Sequence, residues 1–164
     1  MLGSAGQLDS ARFRRVLSEK LNVPVSEVEG YVIGEHGEHM VPLFSRVKVK
    51  GNDVQFKPEE QKEILEELRK TAINVISKKG ATIYAPACNT ADIVQAILHD
   101  EKKLFVCSAV LNGEYNLRDI SIGVPVLIGR GGAEKIIEWE LSSDEMLSLE
   151  RGALRLKSIL SSLR

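Results

Sequence analysis

The last third of the chain constrains the fold most, because three apolar, β-branched runs follow one another there with only short connections. Residues 104–111, 120–128 and 134–141 are predicted strands. The connections contain Asn112-Gly113-Glu114 and Gly129-Arg130-Gly131-Gly132, and both are too short for a helical crossover. The spacing therefore predicts an antiparallel β meander. The glycine-rich turn is also compatible with a phosphate loop, but no helix follows it at once, which favours a hairpin.

Helical periodicity dominates the rest of the chain. Apolar residues recur every three or four positions in residues 9–21, where Asp9 or Ser10 is the expected cap. The same periodicity predicts a long amphipathic helix from Pro58 to about Lys79, and another from Pro86 or Ala87 to Leu98. The expected buried stripe of the long helix is Ile64, Leu65, Leu68, Ala72, Val75 and Ile76.

A last helix is predicted to begin at Ser142 or Ser143. Ser142 and Glu145 have the spacing of a capping box, in which each satisfies a free backbone N–H of the other. The apolar face of this helix is Met146, Leu149, Ala153, Leu156 and Leu160.

Two shorter segments complete the predicted elements. Residues 28–33 are β-branched and aromatic and predict a strand. Residues 47–49 are compatible with a short strand before a turn at 51–53. Because helices and strands are partly segregated, the order predicts an α+β fold, with an antiparallel β meander and short strands packed against long amphipathic helices. We expect residues 1–164 to form a single domain.

The composition limits the possible partners and compartments. A formal net charge of −1 argues against nucleic-acid binding, which needs a strongly basic face. No apolar run approaches the ~20 residues of a membrane span, and no leader sequence is visible, so we expect a cytoplasmic protein without membrane contact. Cys88 and Cys107 stand among small or apolar residues, and we expect both to be reduced packing residues.

Asp9, Arg12 and His36 form the candidate site. A helix places Asp9 and Arg12 on one face, although this spacing also fits an ordinary ion pair. Gly34 and Gly37 allow a tight turn around His36, although a loop histidine is often structural. A carboxylate can fix the tautomer of an imidazole, and a guanidinium can grip a substrate carboxylate with two hydrogen bonds. A 2-hydroxy acid presents a carboxylate and a hydroxyl, so it suits this set of groups.

Motifs along nearly the whole chain resemble those of one family. The most specific are Leu8-Asp9-Ser10-Ala11-Arg12-Phe13 and Ile33-Gly34-Glu35-His36-Gly37-Glu38. Residues 40–42, 79–87 and 122–129 follow in the same order as in that family. The chain resembles the carboxy-terminal domain of the lactate/malate dehydrogenase family, closest to its malate dehydrogenase-like members.

The resemblance implies a role for each candidate residue. His36 corresponds to the proton acceptor and donor, Asp9 to the carboxylate that orients it, and Arg12 to the residue that holds the substrate carboxylate. Thr82 falls at a variable position of the substrate pocket. The resemblance also implies an NAD- or NADP-dependent oxidation of malate, lactate or another 2-hydroxy acid to the 2-keto acid, in a homo-oligomer.

The sequence departs from the family pattern in two respects. Glu38 and His39 stand where the family usually has aspartate, often followed by serine. The family's NAD-binding half, with its glycine-rich loop, its lid arginine and the residue that selects lactate or malate, is absent from this sequence. We therefore expect this chain alone neither to bind NAD or NADP tightly nor to turn over. The alternative is a non-catalytic, stand-alone domain that acts in oligomer assembly or binding.

Overall fold

Four helices and eight strands make up the part of the chain that the computed structural model describes, which is residues 2–162 without the side chains at positions 72, 73, 76 and 79. The helices are α1 (Ala5–Leu21), α2 (Pro58–Lys79), α3 (Tyr84–Leu98) and α4 (Ser143–Ser162). The strands are β1 (Val28–Glu29), β2 (Val32–Gly34), β3 (Met40–Pro42), β4 (Lys48–Val49), β5 (Asn52–Asp53), β6 (Lys103–Asn112), β7 (Arg118–Gly129) and β8 (Gly132–Ile136). Every pairing between these strands is antiparallel, which confirms the predicted α+β class.

The larger sheet is organised around the long strand β7. Its order is β3-β2-β7-β6, and β8 also pairs with β7. Gly129 faces Gly132 across the β7–β8 connection, so the glycine-rich turn is a hairpin, as predicted. A smaller sheet has the order β1-β4-β5 and contains the predicted short strand at Lys48–Val49.

Two apolar clusters hold the helices on these sheets. The first joins the larger sheet to α3 and α4, and its largest fully buried side chains are Phe105, Ile33, Leu43, Leu111, Ile120, Ile122, Ile128 and Leu149. The second lies between α1, α2 and the smaller sheet, and is formed by Phe13, Val16, Leu17, Val28, Val32, Val47, Ile64 and Leu68. Helix α1 therefore stands between the two clusters and is fixed from both sides. The predicted stripe of α2 is confirmed at Ile64 and Leu68, whereas the side chains at 72 and 76 lie outside the described ones.

Helix α1 begins at Ala5, four residues before the predicted start, so neither Asp9 nor Ser10 caps it. The added first turn packs closely against the larger sheet. A Cβ on Gly6 would lie 2.6 Å from the Val106 side chain, so glycine lets the first turn of the helix approach β6. The earlier start places Asp9 inside the helix, where its carboxylate is free for a tertiary contact.

The prediction of one continuous strand at residues 28–33 was wrong, because the strand is interrupted in its middle. Gly30 and Tyr31 separate β1 from β2, and the two strands belong to different sheets. Gly30 lies against α1, where an added Cβ would be 3.1 Å from Phe13, and its carbonyl accepts a hydrogen bond from Arg14. The chain therefore changes sheets as it passes α1.

The third predicted meander strand ends at Ile136 and does not reach residue 141. The Ile137 N–H still donates to the Pro125 carbonyl, and side-chain contacts hold the residues that follow. The Tyr115 hydroxyl accepts from the backbone N–H of Trp139 and donates to the carbonyl of Ile137. The Trp139 ring packs against Tyr31, and the Arg46 guanidinium lies 4.6 Å from its centroid.

Helix α4 starts as predicted, with the capping box in place. The Glu145 backbone N–H donates to the Ser142 hydroxyl, and the Glu145 carboxylate accepts from the Ser142 backbone N–H. The same carboxylate accepts from both the backbone and the hydroxyl of Ser45, which ties α4 to the turn after β3. Leu160 was predicted on the buried face but is 50% exposed, because it lies near the helix end.

The two cysteines differ in environment. Cys107 is buried in the core, and burial raises the pKa of its thiol to about 11. Cys88 is exposed on α3, so its prediction as a packing residue was wrong. Helix α3 itself begins at Tyr84, slightly earlier than predicted.

We expect Gly123→Ala to destabilise the chain by about 1–3 kcal/mol, the usual cost of overpacking. β2 and β7 pair at Gly34 and Gly123, and a Cβ on Gly123 would lie 2.8 Å from the Gly34 carbonyl oxygen. Urea unfolding measures the loss. Gly131→Ala is the matched control, since its Cβ would come no nearer than 3.5 Å to the side chain of Glu134. Equal stability of the two variants would contradict a close approach of β2 and β7 at these glycines.

Candidate active site

A short hydrogen bond joins the carboxylate of Asp9 to the imidazole of His36. The distance from Asp9 Oδ2 to His36 Nδ1 is 2.6 Å. Asp9 is buried at 2% exposure, whereas the His36 side chain is 49% exposed. A buried acceptor at Nδ1 favours the tautomer with its proton there, which leaves Nε2 as the nitrogen able to accept a proton. The predicted contact is therefore present, between residues 27 positions apart.

Backbone packing brings α1 and the end of β2 together at this point. Ser10 is fully buried next to Asp9, and its hydroxyl accepts from the backbone N–H of Val32 while donating to the carbonyl of Gly6. β2 thus uses α1 as a hydrogen-bonding partner. Gly34, at φ +89°, then turns the chain toward His36, in a left-handed conformation that glycine adopts without strain.

Arg12 lies on the same side of α1 as Asp9. Its Nη1 is 3.2 Å from Asp9 Oδ1, so one carboxylate contacts both the guanidinium and the imidazole. A cavity of about 320 Å³ opens over these groups, and its wall consists of Asp9, Arg12, His36, Gly37, Glu38, Met40 and Arg69. The guanidinium and the imidazole can therefore contact one small molecule together.

Thr82 lies in an adjoining cavity rather than in this one. The second cavity, of about 340 Å³, lies between α1 and the bend that joins α2 to α3. Arg12 lines both cavities and Thr82 only the second. The structure thus brings Asp9, Arg12 and His36 into one group, with Thr82 on the far side of Arg12.

Arg69 and Met40 also line the first cavity, although the sequence did not predict them as site residues. Arg69 follows the buried stripe residue Leu68 on α2, and its spacing is that of an ordinary solvated position. Only the packing of α2 beside the loop after β2 shows that it faces the site. Among the residues that the structure describes, no cluster of His, Cys, Asp and Glu could hold a metal ion. No described helix is long and apolar enough to cross a membrane.

Asp9 also sets the protonation of His36. The hydrogen bond to Asp9 raises the pKa of His36 above its ordinary value of 6.5, and partial burial opposes this. The charges of Asp9 and Glu35 raise the His36 pKa further, while that of Arg12 lowers it. The site therefore stabilises the imidazolium form.

The raised pKa predicts how His36 contributes to stability. The contribution is complete below about pH 6.5, the unfolded value, and is lost as the pH rises through the higher folded value. We expect the free energy of unfolding of the wild type to exceed that of His36→Gln at acid pH, and the excess to shrink toward alkaline pH. Urea unfolding of both proteins across this range measures the difference. An excess that grows with pH would contradict the predicted direction.

Comparison with known proteins shows which family and which solved structures this chain is similar to. Residues 6–163 match the family described as lactate/malate dehydrogenase, alpha/beta C-terminal domain. The malate dehydrogenase of Halobacterium salinarum is 47% identical over 158 residues, which cover 96% of this chain and 52% of that protein. The structure of malate dehydrogenase from Salinibacter ruber is similar with a TM-score of 0.91 and 38% identity, covering 99% of this chain and 54% of that one.

The structure of a lactate dehydrogenase gives the same TM-score at a lower sequence identity. The enzyme from Eimeria maxima, solved with NADH and oxamate, has a TM-score of 0.91 and 32% identity, covering 99% of this chain and 52% of that one. The chain thus spans about half the length of the relatives it matches.

Proposed function

Because the chain belongs to the lactate/malate dehydrogenase family and matches its C-terminal domain, we propose that it supplies the acid-binding and proton-transferring half of an NAD- or NADP-dependent 2-hydroxy acid dehydrogenase. The contact between Asp9 and His36 beside Arg12, in one cavity, carries the proposal. The cofactor-binding half belongs to the part of the relatives that this chain does not match.

Arg12 and His36 divide the work of binding and proton transfer. The guanidinium of Arg12 binds the carboxylate of the acid, which places the 2-hydroxyl near His36. His36 Nε2 accepts the hydroxyl proton as the acid is oxidised, and returns it in the reverse direction. The nicotinamide cofactor, when bound, supplies the hydride acceptor.

Asp9 supports the proton transfer through its contact with His36. Its buried carboxylate holds the proton on Nδ1 and stabilises the positive imidazolium that forms. The Eimeria maxima relative was solved with oxamate, a small carboxylate, which supports an acid as the ligand. Thr82 shapes the adjoining cavity, which shares Arg12 with the acid site.

The test is a hybrid enzyme, in which this chain is joined to the amino-terminal half of Salinibacter ruber malate dehydrogenase. NADH formation is followed with L-malate and with L-lactate. We expect turnover with at least one of the two acids and none with this chain alone. A folded hybrid that binds NAD but oxidises neither acid would contradict the proposal and favour a role in assembly or binding.

We further propose that the chain forms homo-oligomers, most simply a two-fold dimer. Large apolar side chains are exposed on α3 at Val94 and Leu98, and on α4 at Leu147, Leu154 and Ile159. Such surfaces tend to find partners. The apolar stripes in the sequence predict α2 and α4 as the contributors, whereas among the described side chains the exposed apolar ones favour α3 and α4.

Light scattering across a concentration series tests the dimer. We expect a mass of twice 18.1 kDa for the wild type and a shift toward the monomer for Leu154→Glu, since Leu154 is 67% exposed. Ser148→Glu on the same helix is the control for the added charge, because it adds one negative charge at an exposed polar position. A monomeric wild type at high micromolar concentration would contradict the assembly.

A further inference from the structure

The tip of the loop that carries His36 is exposed and loosely packed. His36, Gly37 and Glu38 are all exposed, and a Cβ added to Gly37 would approach the Glu35 side chain no nearer than 3.9 Å. Gly37 also has a φ of +154°, and a glycine leaves the backbone more freedom than any other residue would. Packing alone therefore does not fix the position of the imidazole.

The base of this loop is held on α4. Gly34 pairs with Met40 where β2 turns into β3, and a Cβ on Gly34 would lie 3.7 Å from the Leu149 side chain. Further along α4, a Cβ on Gly152 would lie 3.5 Å from both the Cβ and the backbone oxygen of His39. These contacts bring no charged side chain of α4 to the loop, and they support its ends rather than its tip.

Two hydrogen bonds tie the tip to neighbouring helices, one on each side of Gly37. From α1, Asp9 Oδ2 lies 2.6 Å from His36 Nδ1. From α2, Arg69 Nη2 donates to the backbone carbonyl of Glu38 at 2.8 Å. Because this acceptor is a backbone atom, the bond restrains the path of the chain two residues after His36 and does not depend on the Glu38 side chain. The second restraint narrows the orientations that the imidazole can adopt relative to Asp9.

We propose that Arg69 is a positioning residue for His36, which acts through the Glu38 carbonyl and keeps the imidazole aligned with the Asp9 carboxylate. The effect of Arg69 on turnover rests on the proposed function, whereas its effect on the protonation of His36 does not. A single net hydrogen bond changes the population of an ordered state by about two- to tenfold. Arg69 therefore sets how much of the protein has His36 in place for proton transfer.

The alternative is that Arg69 acts on His36 by its charge alone. The charged groups around the imidazole, on α1, in the loop and on α2, are Asp9, Arg12, Glu35, Glu38 and Arg69. A nearby cation lowers the pKa of His36, as Arg12 does, so loss of a cation raises that pKa. Loss of a positioning bond instead weakens the Asp9 hydrogen bond, which lowers the His36 pKa. The two roles therefore predict changes of opposite sign.

The experiment is an NMR titration of the His36 imidazole in this chain, for the wild type and for Arg69→Met. We expect a lower His36 pKa in Arg69→Met, because the variant removes the donor to Glu38. Arg69→Lys retains the charge without the planar guanidinium and is expected to lower the pKa less. Arg155→Gln is the matched control, since it removes an exposed arginine of α4 that lines neither cavity, and it should leave the His36 pKa unchanged.

The hybrid enzyme separates positioning from a general loss of structure. We expect Arg69→Met to lower kcat by about two- to tenfold, the range of one hydrogen bond, and to lower it equally for L-malate and L-lactate. The midpoint of the pH profile should move to lower pH together with the His36 pKa. A variant that only reduced the amount of folded enzyme would leave this midpoint in place.

Each other result overturns the inference. A His36 pKa that rises in Arg69→Met would show that Arg69 acts by its charge, and an unchanged pKa would show that the bond to Glu38 does not affect the imidazole. In both cases the proposed function stands. A wild-type His36 pKa at or below 6.5 would contradict the Asp9 contact itself, and the inference would then fail together with the proposed function.

Discussion

We expect His36→Ala to lower the turnover of the hybrid enzyme by roughly 10²- to 10⁴-fold, the usual contribution of a positioned acid–base group. The variant removes the nitrogen that accepts the hydroxyl proton and leaves Arg12 in the same cavity. The loss is therefore expected in kcat rather than in the affinity for the acid. Steady-state kinetics with the better of the two acids measures both.

His99→Ala is the matched control for this variant. His99 is an exposed histidine at the end of α3, away from both cavities. It is expected to leave turnover unchanged. A His36→Ala hybrid with near-normal kcat would remove His36 from the chemistry.

The second large effect is expected for Asp9→Asn, through the protonation of His36. The Asp9 hydrogen bond is the largest cause of the raised His36 pKa, and the Asp9 charge acts in the same direction. Loss of this hydrogen bond and of the opposite charge therefore lowers the His36 pKa and weakens the stabilisation of the imidazolium. NMR titration of the imidazole ring gives the His36 pKa directly.

Glu35→Gln separates this effect from a general change of charge. Glu35 adjoins His36, and its charge is the smallest of the causes that act on the His36 pKa. We expect a smaller decrease than for Asp9→Asn. Equal decreases in the two variants would show that the contact at Nδ1 has no special role.

The parts of the fold that could be predicted are those with a local cause. The bounds of α2, the Ser142–Glu145 capping box and the Gly129–Gly132 hairpin all follow from spacing or turn chemistry within a few residues. The errors arose where a distant contact decides. Gly6 allows the first turn of α1 to pack closely on Val106, and Gly30 allows the chain to pass close to Phe13 between β1 and β2.

The candidate site follows the same rule. Asp9 and Arg12 share a helix face, so their contact follows from spacing. Nothing in the spacing brings His36 to Asp9, and only the family resemblance predicted their contact. The contact depends on the hydrogen bond from Val32 to Ser10 and on the pairing of Gly34 with Gly123. Arg69 could not be found at all, since a helix's solvated face and a cavity wall look alike in sequence.

The pH dependence of the hybrid enzyme in both directions tests the central claim most directly, because oxidation needs neutral His36 and reduction needs the imidazolium. We predict that kcat/KM for the hydroxy acid rises with pH, that kcat/KM for the keto acid falls, and that the two profiles share one midpoint above 6.5. Asp9→Asn should move that midpoint to lower pH in both directions. If kcat/KM changed with pH in the same direction for both acids, or if Asp9→Asn left the midpoint in place, proton transfer by His36 would be contradicted.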